Sequence, residues 1–187
     1  MDGKPVKEAP LRWVMLHKPM GVVTTRSDPE GRETVYRLLP PELGDLRYVG
    51  RLDLLTEGVL LRTNEGETLH RLTHPSFEVE REYQIWVQEE PGPDSVRRLL
   101  EGVELEDGMA RAAGISVEGR SREGVVLKMI LKEGRNREVR RLMEAVGAPV
   151  LRLKRTRFGP VSLGNLKIGA WRELTQKEIR ALRGSVQ

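Results

Sequence analysis

The 187-residue sequence contains no cysteine, which excludes a disulfide framework, a thiolate nucleophile and a zinc knuckle. Its three histidines, His17, His70 and His74, are scattered without the spacing of a metal-ligand set, so no metal is expected. No continuous apolar run reaches membrane length, and the opening "MDGKPVKEAP" lacks the apolar core of a secretory signal. The reducing cytoplasm is therefore the expected location, with no membrane association. Neither a P-loop nor a Gly-x-Ser-x-Gly elbow is present, and no helix-turn-helix pattern supports a DNA-binding regulator. Internal repeats and low-complexity segments are also missing.

What is there is charge. Charged residues make up 32% of the chain and hydrophobic ones 38%, enough for one sizeable core or two small lobes sharing a cleft. The net charge of +4 permits a polyanionic partner without requiring one. Distribution says more: from Lys132 to Arg157 nine bases stand against three acids, an excess larger than that of the whole chain. Arginines on a helix and on the following strand in this stretch predict a groove for phosphate.

Apolar patterning predicts the elements. Residues 1–10 read as a flexible arm and 184–187 as a tail. "WVMLH" is a short strand that turns at Lys18-Pro19-Met20-Gly21 into the β-branched run "VVTT", a predicted hairpin. Arg47 to Val49 leads as a strand into a Gly50 corner, and Gly58 to Thr63 reads as a buried strand followed by the short helix "ETLHRLTH". In "EREYQIWVQ", Tyr83, Ile85 and Val87 face one way and Glu82, Gln84, Trp86 and Gln88 the other. A helix from Pro93 to about Gly102 carries the stripe Val96, Leu99 and Leu100. Short strands around Gly108 and Gly114 follow, then a loop tip between lobes at 119–124 and the strand "GVVLKMIL". Val139, Leu142, Met143 and Val146 recur at helical spacing up to a left-handed cap at Gly147, leaving Arg137, Arg140, Arg141 and Glu144 on the polar side. In "PVLRLKRTRF", Arg152, Lys154 and Thr156 share a strand face, and Thr175 to Glu178 has the spacing of a capping box opening a last helix. No strand-helix-strand repeat is sustained. The predicted class is α+β, a mixed and mainly antiparallel sheet with flanking helices.

Asp53, in Gly50-Arg51-Leu52-Asp53, is the best candidate for chemistry, although a lone carboxylate reads first as a turn cap or ion-pair partner. Six pieces in register change that weighting. They are Lys18-Pro19-Met20-Gly21-Val22-Val23-Thr24-Thr25, Asp28-Pro29-Glu30-Gly31-Arg32, Gly50-Arg51-Leu52-Asp53 with Thr56-Glu57-Gly58, Leu72-Thr73-His74-Pro75, Glu82-Tyr83, and Glu133 to Arg141. Together they resemble the RsuA-type bacterial pseudouridine synthases of ribosomal RNA, over about Leu11 to Leu182.

The resemblance implies the pseudouridine synthase fold over residues 11–183, with two sublobes around a central cleft. It implies isomerisation of a uridine in ribosomal RNA, large-subunit RNA being favoured, on a flipped-out nucleotide. Asp53 takes the role of nucleophile, with Tyr83 and Arg140 as the other catalytic positions. Arg51 fills the space that the target nucleotide vacates, and Arg135, Arg137 and Arg141 bind substrate. Such a rearrangement needs no cofactor and no metal, and the expected partner of a monomeric protein is ribosomal RNA or a ribosomal precursor particle, not DNA. Chemically, a carboxylate can stabilise or trap the electron-poor sugar left when a glycosidic bond breaks. The alternative is a non-catalytic RNA-binding or ribosome-assembly protein on the same fold, which would not need all three of Asp53, Tyr83 and Arg140. Relatives commonly carry a small RNA-binding module ahead of the catalytic domain, and this sequence begins too late to include it. Target choice would then rest on the catalytic domain or on a partner, unless the sequence is part of a longer chain. Leu55 and Glu138 stand where many relatives have an acid and a glutamine.

Overall fold

The computed structural model describes residues 9–25 and 28–187; of the expected N-terminal arm, residues 1–8 lie outside the described residues. Eleven strands appear among them: β1 (Trp13–Lys18), β2 (Arg47–Val49), β3 (Thr56–Thr63), β4 (Arg81–Val87), β5 (Val103–Leu105), β6 (Gly108–Ala110), β7 (Gly114–Ser121), β8 (Gly124–Leu131), β9 (Val150–Phe158), β10 (Val161–Ser162) and β11 (Trp171–Glu173). The helices are α1 (Gly66–Thr73), α2 (Pro93–Glu101), α3 (Glu138–Ala145) and α4 (Gln176–Gly184). One sheet runs β11-β1-β3-β9-β4-β8-β7, with β2 on β3 and β10 on β9, while β5 and β6 form a separate ribbon. Its pairings are antiparallel except at the centre, where Thr56 to Gly58 of β3 run parallel to Leu153 to Arg155 of β9.

That parallel seam divides the molecule. On one side α2 and α3 cover β4, β8 and β9 with a core that includes Ile85, Leu127, Met129, Leu142, Met143 and Leu153. On the other, Trp13, Met15, Leu61 and Leu72 pack with Ile179, Leu182 and Val186. Val14, Leu16 and Leu60 point the opposite way, onto Val35, Leu43 and Leu52. Strand β1 is thus buried on both faces, which is why it reads as an unbroken apolar run. The seam also requires Gly58: its φ is +112°, and a Cβ there would lie 2.1 Å from the Arg155 carbonyl oxygen.

Several expectations are corrected. Strand β1 pairs with β3 and β11, and the "VVTT" run contributes only a bridge from Val23 to Thr34, so the predicted hairpin is absent. β-branched composition favours an extended backbone, but tertiary packing chooses the partner. Residues 119–124 are not a connection between lobes; they close the β7–β8 hairpin at the sheet edge. Leu100 leaves the α2 stripe for the surface, and only Leu99 is fully buried. Trp86 lies on the predicted face but is buried, with Arg152 over its ring at 4.4 Å and Lys154 at 5.8 Å. The last residues are no free tail, since α4 continues to Gly184 and Val186 closes the core beyond it. The capping box at Thr175 and Glu178 and the positive φ of Gly147 are found as expected.

Candidate active site

Asp53 sits three residues ahead of β3, at the end of the parallel seam, in a cleft of about 590 Å³. Thr56, the first residue of β3, folds back on it: its backbone N–H donates to the Asp53 carbonyl at 3.1 Å and its hydroxyl to Oδ1. Across the cleft, helix α3 sends two arginines to the other carboxylate oxygen. Arg137 Nη1 donates to Oδ2 at 3.1 Å and Arg140 Nε at 3.3 Å, while Arg140 Nη2 reaches Thr56 Oγ1 at 3.3 Å. The partners differ in burial. The Arg140 side chain is 10% exposed and Asp53 22%, whereas Arg137 is 47% exposed, so Arg140 fixes the carboxylate from the protein side and Arg137 can be displaced by a ligand. Arg137 occupies the N-cap of α3 with φ of 52°, a left-handed conformation that costs a non-glycine residue about 1–3 kcal/mol.

Tyr83 lines the same cleft from β4 and is almost completely buried. Its neighbour in register is Arg155 of β9, whose Nε donates to the Val59 carbonyl at 2.9 Å and whose Nη2 is buried without a fixed partner. Burial pulls the Arg155 guanidinium below the usual arginine range, with Tyr83 opposing the shift from hydrogen-bonding reach. Arg81, also buried, donates to the carbonyls of Val79 and Leu72, and both guanidiniums lie about 5 Å from the Phe158 ring centre, at 4.9 and 5.0 Å. The cleft floor is therefore cationic and aromatic, with two arginines that no carboxylate neutralises by direct contact among the described residues.

A third buried cation braces the Asp53 loop. Lys18 Nζ donates to the carbonyls of Thr56 at 2.8 Å, Pro19 at 3.0 Å and Leu54 at 3.4 Å. Burial lowers its pKa from 10.5 to about 8, against the pull of Asp53 and Glu57. Thr24 Oγ1 adds a bond to the Leu52 carbonyl at 2.8 Å.

Of the sequence-predicted residues, the fold brings together Asp53, Tyr83, Arg140, Arg51 and Arg137. Arg51 is exposed on the cleft wall, and no carboxylate among the described residues pairs with it. Arg135 borders the cleft, yet its guanidinium turns to the carbonyls of Gly108 and Met109 and to Glu133. Arg141 does not reach the cleft. Its guanidinium forks onto both oxygens of Asp107 at 2.7 and 3.0 Å, anchoring α3 to the β5–β6 turn. The expected single groove from Lys132 to Arg157 also divides: Arg152 and Lys154 lie on the opposite sheet face, where Arg152 grips Glu57 and Glu123. Strand alternation sends alternate side chains to opposite faces, so one basic run supplies two surfaces. Sequence reading passed over Thr56, Lys18, Arg81 and Arg155 as site residues. The signal for the first two lay in the motifs beside Asp53; for the arginines it lay only in cross-strand register. Among the described residues no three His, Asp or Glu side chains converge on a possible metal position.

The fold that carries this carboxylate–arginine–tyrosine cleft is shared with known proteins. Residues 12–145 match the RNA pseudouridylate synthase family, and the chain belongs to that family. It is 45% identical over 186 residues to the ribosomal large subunit pseudouridine synthase B of Vibrio cholerae, covering 98% of this chain and 58% of that protein. It is 46% identical over 183 residues to the protein of the same name in Pseudomonas aeruginosa, covering 96% of this chain and 47% of that protein. The chain thus spans about half the length of the curated relatives it matches. A crystal structure of a pseudouridylate synthase superposes with a TM-score of 0.81 at 30% identity, over 92% of this chain and 74% of that one. An H/ACA RNP structure bound to a substrate RNA containing 2'-deoxyuridine shares the fold, with a TM-score of 0.60 at 18% identity over 81% of this chain and 48% of that one. No helix among the described residues is long and apolar enough to cross a membrane.

Proposed function

We propose that this chain isomerises a uridine of ribosomal RNA, with large-subunit RNA as substrate, to pseudouridine. The observation that carries the reading is the single carboxylate of Asp53, held by Arg140, Arg137 and Thr56 at the mouth of a cleft that Tyr83 lines. The names of the relatives supply the substrate class. In the proposed reaction the bond from ribose C1' to N1 breaks, its electron pair stays on the base, and Asp53 stabilises or traps the electron-poor sugar. The base remains in the pocket against Tyr83, turns, and rejoins C1' through carbon 5, which then loses its proton while N1 gains one. No water enters and no second carboxylate is needed, because the leaving group is also the acceptor.

Arg51 is proposed to occupy the gap in the RNA stack, and Arg137 to contact the target strand. The catalytic unit is taken as residues 11–183, sealed by the last turn of α4 and Val186. The setting we infer is the cytoplasm, with the protein a monomer acting on RNA and not DNA. The test is to incubate the protein and its Asp53→Asn variant with unmodified ribosomal RNA and precursor particles, and to map pseudouridine by reverse-transcription stops. The wild type should modify one site and the variant none; equal modification by both removes Asp53 from the chemistry, and none by either favours a binding protein.

A further inference from the structure

The turn that delivers Arg137 to Asp53 runs from Glu133 to Glu138 and holds two carboxyl groups against each other. Glu138, the first residue of α3, is 3% exposed. Its Oε2 accepts the backbone N–H of Arg135 at 3.0 Å, closing the turn, while its Oε1 is buried and has no donor. The Glu138 carboxyl has the carboxylate of Glu133 within hydrogen-bonding reach, itself an acceptor, whose Oε1 lies 3.2 Å from Arg135 Nε. Two ionised carboxylates cannot share that space, and an oxygen that deep would be left with neither water nor a proton donor. A single proton between them removes both difficulties.

We propose that Glu138 is a positioning residue that works in its neutral acid form: Oε1–H donates to Glu133, and this acid–carboxylate pair locks the turn that aims Arg137 at Asp53. The turn's other internal ties are the Glu138 N–H donated to the Arg135 carbonyl at 3.2 Å and the ion pair of Arg135 Nε with Glu133. Arg137 sits in a left-handed conformation that no side chain caps, and Arg135 is drawn off toward Gly108, Met109 and Asp107. The charged groups around Glu138 are Glu133 and Arg135 on the turn, Arg141 on α3 and Arg81 on β4. The cations among them are committed elsewhere, Arg141 to Asp107 and Arg81 to the Val79 and Leu72 carbonyls, and none reaches Oε1. Burial and the facing Glu133 raise the Glu138 pKa from 4.5 to about 7, so the lock opens as pH climbs through neutrality.

The neutral acid does not depend on the proposed activity, while its effect on turnover rests on it. Two measurements keep them apart. The first is a carboxyl carbon NMR titration of the wild type, assigned with Glu138→Gln and run beside thermal unfolding of both proteins from pH 4 to pH 9. Glu138 should titrate near 7. The wild type should lose stability relative to Glu138→Gln as pH rises from 4.5 to about 7, because over that window the folded protein keeps a proton that the unfolded chain has released. Titration below 5, or parallel stability curves, overturns the neutral acid whether or not any RNA is modified. The second is the pH profile of single-turnover RNA modification. The wild type should lose at least half its rate between pH 7 and pH 8.5, and Glu138→Gln, an amide that cannot ionise, should retain it. Identical alkaline limbs would overturn the link to Arg137.

Discussion

Arg140 offers the most direct test of how the cleft works. Replacing it by methionine keeps much of the side-chain volume but removes the Nε bond to Asp53 and the Nη2 bond to Thr56, both 3.3 Å long. Stripping one partner from a fully buried ion pair costs about 3–5 kcal/mol. Asp53 is partly exposed and still keeps Arg137 and Thr56, so the loss should be smaller, about 2–3 kcal/mol. At about 1.4 kcal/mol per tenfold change in rate, single-turnover modification at saturating RNA should slow about 30- to 150-fold. Arg140→Lys should recover little, since an ammonium cannot reach the carboxylate and the Thr56 hydroxyl in one plane. Arg137→Met is the control. Its guanidinium is half exposed and its contact with Asp53 is worth about 1 kcal/mol or less, which corresponds to at most about a fivefold loss in the chemical step. A variant lacking Arg137 that is slower than one lacking Arg140, or an Arg140→Met protein within twofold of wild type, would refute the assignment of the buried arginine as the fixed support.

Two further predictions follow from the charges. Arg51 has no carboxylate partner among the described residues and the half-exposed Arg137 can leave Asp53 for phosphate, so neutralising either should lower the salt dependence of RNA binding by about 0.7–0.9 in log–log slope, while Arg141→Gln should leave it unchanged because Asp107 already holds that side chain on both oxygens; a steeper change at Arg141 in filter-binding titrations would contradict the geometry. Lys18 has a folded pKa of about 8, below its ordinary 10.5, so the fold carries the cost of a buried ammonium below pH 8 and sheds it as pH rises toward 10.5. Measured by urea unfolding, wild-type stability relative to Lys18→Met should therefore rise over that window by up to about 3 kcal/mol, and a flat difference would show that Lys18 keeps its ordinary affinity for a proton.

Much of the site was visible one residue at a time. The Gly50-to-Asp53 corner, the helix bearing Arg137 and Arg140, and the alternation that puts Tyr83 on the face of Ile85 and Val87 all follow from local periodicity and turn chemistry, which depend on near neighbours in the chain. The departures share a cause. The β1 pairing, the division of the basic groove and the turning of Arg141 away from the cleft each depend on a partner far away in sequence: Gly58 to Thr63 for β1, Glu57 for Arg152 and Asp107 for Arg141.

The sequence by itself determined the strands and helices, the carboxylate at the corner and the excess of cations late in the chain, because hydrophobic period and residue type are written locally. Only the tertiary structure decided which cations face that carboxylate. The parallel contact of β3 with β9 brings Asp53 under α3 from 84 residues away, and burial then separates the arginine that supports it from the arginine that can let it go. The same folding buries Glu138 beside Glu133, which the chain order alone does not reveal, since the burial of Glu138 is set by the packing of the whole turn.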